Sequence, residues 1–161
     1  MDKYNIPESN SLDSKEGVGN PENHIDEMDA VKQNFVELLQ EAENIRHKTP
    51  DVGVNEKSRK MIQENLSQTL EIAYSNGIPK EFIIEQLREQ SSKFMKESED
   101  MRGRANHMGG ISLAMEELKY CSREEIDQKM DDSLYASRQS QALLLLAVEF
   151  KYKAGELEKG K

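Results

Sequence analysis

The sequence predicts an all-α fold, an antiparallel bundle of four or five helices with a disordered N-terminal arm. Three observations carry that expectation. Tryptophan is absent and only four prolines interrupt a chain of 161 residues rich in Glu, Lys, Gln, Met, Leu and Ala, the residues that helices favour. Apolar side chains recur at spacings of three and four, the period that lines one face of a helix. Capping and stop signals fall between the periodic stretches, and alternating strand-like patterns are not found.

Residues 1–21 are rich in Ser, Asn, Gly, Glu and Asp and offer little to bury, so ordering them would cost more entropy than their contacts return. They are expected to be the disordered arm, and residues 22–161 the helical domain. In the first helix Met28, Val31, Phe35, Leu38, Ala42 and Ile45 form a heptad-like seam, closed by Arg46, His47 and Lys48 at the negative helix end and stopped by Thr49-Pro50. Asn55 is the expected cap of a second helix, with Ile62, Leu66, Thr69 and Ala73 on one face and Asn76-Gly77 as its terminator. Pro79 opens a third, whose buried side is expected to be Phe82, Ile83, Leu87, Phe94 and Met101.

The three glycines of 103–110 predict a joint, a candidate hinge, and His107-Met108 within it reads as a candidate junction between two once-separate segments. After it Ile111, Met115 and Leu118 make a short fourth helix. Ser122 and Glu125 then form a capping-box pair that starts a fifth, running to about Gly155.

The densest apolar stretch is 142–148, Ala-Leu-Leu-Leu-Leu-Ala-Val. Consecutive apolar residues cover every direction around a helix axis, so this stretch is expected to be buried on all sides. It is too short for a bilayer, which needs about 20 apolar residues, so the covering partner is protein. Leu143, Leu144, Leu145, Leu146 and Val148, with Phe35 and Leu38 of the first seam, are the candidate interface residues. They pack on each other inside one bundle, or some are shared with a second chain, for which a homo-oligomer is the expectation.

Charged residues make up 33% of the chain, and the formal net charge is −9. Acidic residues gather in the first helix and again at Glu116, Glu117, Glu124, Glu125, Asp127, Asp131 and Asp132. Such a surface repels phosphate backbones and anionic lipid, and suits a basic protein partner. No basic-then-apolar leader is read at the start, and Cys121 is the single cysteine, which points to a reducing cytoplasm.

No motif for chemistry stands out. Glu43 and His47 lie one helical turn apart, but no second Glu-His pair completes a two-metal bundle site. Cys121 sits among Glu116, Glu117, Glu124 and Glu125, which oppose thiolate formation. The glycine-rich 103–110 lacks a preceding strand and a Gly-Lys-Ser/Thr ending. No enzymatic activity, cofactor or metal is therefore expected. The segment 73–83 has the small residue, turn glycine and aliphatic of a helix-turn-helix, yet its second helix carries Glu81, Glu85 and Glu89, a poor complement to a major groove. The leading expectation is a small acidic interaction factor of bacterial or phage type, an adaptor, inhibitor, chaperone or immunity-like protein. The alternative is a DNA-binding regulator that uses 73–83.

Overall fold

The computed structural model of the chain describes residues 21–44 and 56–160. Four helices account for most of them: α1 (Pro21–Glu41), continued by a 3-10 turn (Ala42–Asn44), α2 (Glu56–Ser75), α3 (Lys80–Leu118) and α4 (Arg123–Glu158), with no strand among the described residues. The arm expected over 1–21 lies outside them but for Pro21, as do Ile45, the stop at Thr49-Pro50 and the cap at Asn55.

The helix ends follow from the residues found there. Gly77 takes φ +72°, which lets its N–H donate to the Tyr74 carbonyl and the Ile78 N–H to the Ala73 carbonyl, each at 3.1 Å. That pair of bonds is a Schellman closure, sealed by the burial of both Ala73 and Ile78. Pro79 is the cap residue rather than the first helical one, so α3 begins at Lys80. At the start of α4 the expected capping box is present: the Glu125 N–H donates to Ser122 Oγ at 3.2 Å, and the Ser122 N–H to Glu125 Oε2 at 2.9 Å.

The helices run up, down, up and down. Phe35 of α1 meets Phe82 at the start of α3, with ring centroids 6.5 Å apart, and the 3-10 turn at Glu43 lies further along, beside Asp100, Met101 and Arg104. One core joins Phe35, Leu39 and Ala42 to Ile62, Leu66, Leu70 and Ala73 of α2, Ile83, Leu87 and Phe94 of α3, and Leu143, Leu146, Ala147 and Phe150 of α4. On α1 the buried residue beside Phe35 is Leu39, while Leu38 is only half-buried. The four-residue step from 35 to 39 follows the helical period, whereas 38 lies off to one side. Phe94 and Phe150 pack edge-on at 5.3 Å. Across α2 and α4, the buried Glu149 accepts from Arg59 Nε at 2.8 Å and Gln63 Nε2 at 3.1 Å.

Two expectations are corrected. The break at 103–110 is absent, so the third and fourth expected helices are one helix of 39 residues, about 58 Å long. The reason is a heptad that an apolar count skips. Leu87, Ser91, Phe94, Ser98, Met101, Ala105, Met108, Ser112 and Met115 alternate at steps of four and three, and all are buried or half-buried. Ile126, Lys129, Ser133, Ala136, Ser140, Leu143, Ala147, Phe150, Ala154 and Leu157 do the same on α4. The pair is an antiparallel coiled coil with small residues facing each other.

Those small residues let the backbones approach, and serine hydroxyls bridge the gap. Ser91 Oγ donates to the Ala147 carbonyl at 2.7 Å, and Ser98 and Ser140 each donate to the other's carbonyl at 2.8 Å. Ser133 Oγ donates to the Ala105 carbonyl at 2.7 Å, and Ser112 Oγ to that of Ile126 at 3.2 Å. A helical carbonyl has a second lone pair free for such a bond. Gly109 belongs to this close approach, because a Cβ there would stand 3.2 Å from Ser133 Oγ.

The second correction concerns 142–148. Leu143, Leu146 and Ala147 are fully buried, but Leu144 is 43% exposed and Val148 49%. Helices cover this stretch on one side and leave the other open, so among the described residues it is not enclosed all round.

Candidate functional site

The candidate interface residues separate into three groups. Phe35, Leu143 and Leu146 belong to one buried core, and Leu145 packs against it. Leu38 is half-buried outside that core. Leu144 and Val148 alone of the set are exposed.

Among the described residues the core ends at Met101 on α3 and Leu143 on α4, and beyond it the two helices continue as a pair. This two-helix arm spans residues 102–138, and its half on α3 is about 25 Å long. It is closed at the far end by a tight turn in which Lys119 takes the left-handed conformation, φ 58° and ψ 20°. Its fully buried residues are Ala105, Ser112, Ile126 and Ala136, of which only Ile126 is large.

The outside of the arm carries large apolar side chains. Leu113, Leu118, Met130, Leu134 and Tyr135 are all exposed, and Tyr120 at the turn is 90% exposed. Between positions 116 and 132 seven carboxylates stand against Lys119, Arg123 and Lys129, a local charge of −4. Arg123 is already engaged, with Glu116 and Asp127 each 3.1 Å away. Apolar contact area set among fixed negative charge suits an amphipathic cation-bearing surface.

The acidic half of this site was visible in the sequence, but its apolar half was not. Leu113 and Tyr120 look unremarkable there, and Leu118 reads as one apolar set with Ile111 and Met115, but Leu118 is 62% exposed and lies off the buried stripe of α3.

Cys121 is half-buried in the turn. His107 is exposed on α3, and His47 lies outside the described residues. Among the described residues no three His, Cys, Asp or Glu side chains group as a metal-binding set, and no helix is long and apolar enough to cross a membrane. A surface groove is lined by Arg88, Ser92, Met95, Glu99, Lys151 and Glu158 among others, and Arg88 there pairs with Glu158. In 73–83 the residues Ala73, Ile78 and Ile83 are buried, which makes the hairpin a packed corner, and the exposed first turns of α3 present Lys80, Glu81, Glu85, Arg88 and Glu89.

No family model, curated protein or solved structure matches the chain.

Proposed function

We propose that the chain is a small acidic protein-interaction factor, an adaptor, inhibitor, chaperone or immunity-like protein, that works by covering a basic partner with the end of its two-helix arm. One observation carries this reading. Leu113, Leu118 and Tyr120 are each exposed near the turn that closes the arm, within a local excess of carboxylates. Apolar area supplies affinity on burial, and the surrounding negative charge selects a partner of opposite sign and speeds encounter. The reading places the protein in the cytoplasm, where a lone thiol such as Cys121 stays reduced. It assigns no catalytic role.

Fluorescence anisotropy with a labelled amphipathic helical peptide tests it, in lysine-rich and glutamate-rich versions. The lysine-rich peptide should bind, and binding should weaken as salt rises. Tyr120→Ser with Leu118→Ser should abolish binding while leaving the circular dichroism spectrum unchanged. Equal binding of the glutamate-rich peptide, or full binding by the double variant, would discard the proposal.

A further inference from the structure

A second heptad runs along the outer side of α4, separate from the one that faces α3. Asp127, Met130, Leu134, Ser137, Gln141, Leu144, Val148 and Lys151 follow one another at steps of three and four. Ser137 is half-buried and the rest are exposed, with Met130, Leu134, Leu144 and Val148 among the large apolar side chains open to solvent. Neither α1 nor α2 covers this side of α4. The contacts of α2 fall on the opposite flank, where Glu149 meets Arg59 and Gln63, and Leu146 on that flank joins the core.

The order of residues along this seam is self-complementary when read from either end. Starting at its centre, Ser137 and Gln141 are polar, Leu134 and Leu144 are leucines, Met130 and Val148 are apolar, and Asp127 and Lys151 carry opposite charges. The steps between them are palindromic too. A two-fold axis between Ser137 and Gln141 therefore lays the seam antiparallel on a second copy of itself. Leu134 then meets Leu144, Met130 meets Val148, and Asp127 meets Lys151, each pair occurring twice. The ends are charge-complementary although the whole chain carries −9 and would otherwise repel its own copy.

We infer that the outer seam of α4 is a homodimer interface in which two copies pair antiparallel about an axis between Ser137 and Gln141. The occupant is a second copy because antiparallel a-to-d pairing requires this self-complementary order, whereas a foreign helix places no such demand on it. The seam does not include Leu113, Leu118 or Tyr120, so the inference stands apart from the partner reading of the arm's end.

Sedimentation and light scattering of the full chain, from micromolar to sub-millimolar concentration, provide the first measurement. The expected mass is twice the 18.4 kDa of one chain. Val148→Asp and Leu134→Asp should each raise the dimer dissociation constant by about 100-fold or more, since each leaves two unpaired carboxylates in the seam. Both positions are exposed in the single chain, so the helical spectrum should not change.

Direction is read by disulfide trapping in a Cys121→Ser background. A mixture of Leu134→Cys and Leu144→Cys chains should form the mixed disulfide, and neither chain alone should link to itself. A strict monomer, a dimer indifferent to both aspartates, or self-linking of Leu144→Cys chains would each overturn the inference.

Discussion

The body and the arm are built from the same two helices and differ in what fills the space between them. In the body, each small rung is followed by a large side chain: Leu87 and Phe94 on α3, Leu143 and Phe150 on α4, all 2% exposed or less. Those large residues also reach α1 and α2, so one core holds four helices. In the arm the corresponding α3 positions are Met108 and Met115, both half-buried, and the α4 positions are Ala136 and Lys129. Burial stabilises the body, whereas close backbone approach, hydroxyl bonds and two well-made ends hold the arm. A coiled coil can thus continue past its own core, at the cost of depending on small contributions.

That difference is broken most sharply at neighbouring leucines. Leu143→Asp puts a charge into a fully closed site and should abolish the cooperative thermal transition, because a buried unpaired charge consumes much of an ordinary domain's stability. Leu144→Asp, one residue on and 43% exposed, should melt within a few degrees of the original chain. Circular dichroism melts of the two variants, recorded on dilute protein, make the measurement. If both unfold, the open side of α4 has been misassigned.

Phe94→Ala in the body should cost about 3 to 5 kcal/mol, from lost burial and the cavity left beside Phe150. Ser112→Ala in the arm removes one hydroxyl bond and should cost about 1 kcal/mol. Denaturant titration of both gives the ratio. Comparable losses would mean that the arm contributes more to global stability than its interior suggests.

Arg59→Ala tests how α2 is docked. It takes away the cation beside the buried Glu149 but leaves Gln63, so a loss of about 1 to 3 kcal/mol is expected, smaller in the Glu149→Gln background. The double-mutant cycle by denaturant titration reports the coupling. An Arg59→Ala loss unchanged in the Glu149→Gln background would remove this pair from the account.

The smallest effects lie in the arm and should have opposite signs from those above. Gly103→Ala and Gly110→Ala meet nothing within 4 Å, and should each add about 0.5 to 1 kcal/mol by raising helix propensity. Gly109→Ala should fall short of them, because its methyl would press on Ser133 Oγ. Hydrogen exchange is the sensitive readout. Arm amides should exchange through a local opening of lower free energy than those near Leu87 and Phe94, and the alanines should narrow the gap.

Much of this fold is legible in the sequence, because strong signals mark it. Asn76-Gly77, the Ser122–Glu125 capping box and the apolar faces of α2 and early α3 correspond to what the structure contains. The passage through 103–110 is not legible, for a physical reason. Glycines in a helix lower its propensity by about 1 kcal/mol each, and local reading sees only that penalty. The gain that offsets it comes from α4, whose Ser133 reaches Ala105 across the space that Gly109 leaves. Serine at a buried position has no apolar signature, so Ser91, Ser98 and Ser112 conceal the seam they build. The candidate site was half legible on the same grounds. Its carboxylates count themselves, but which leucines of 142–148 face outward depends on where α1 and α2 dock.

The hydroxyl rungs have a consequence for the arm's length. They recur every seven residues, with Ser91, Ser98, Ala105 and Ser112 set against Ala147, Ser140, Ser133 and Ile126. Sliding α4 by one heptad would bring Ser98 opposite Ala147 and Ala105 opposite Ser140, once more small against small. The rungs themselves are therefore indifferent to which tooth they engage. Alignment is imposed from outside them, by the turn at 119–122 at one end and by Phe94 against Phe150 at the other. A spacer of this kind can be lengthened or shortened by a whole heptad in each helix, about 10 Å of reach per step, without altering any residue that remains.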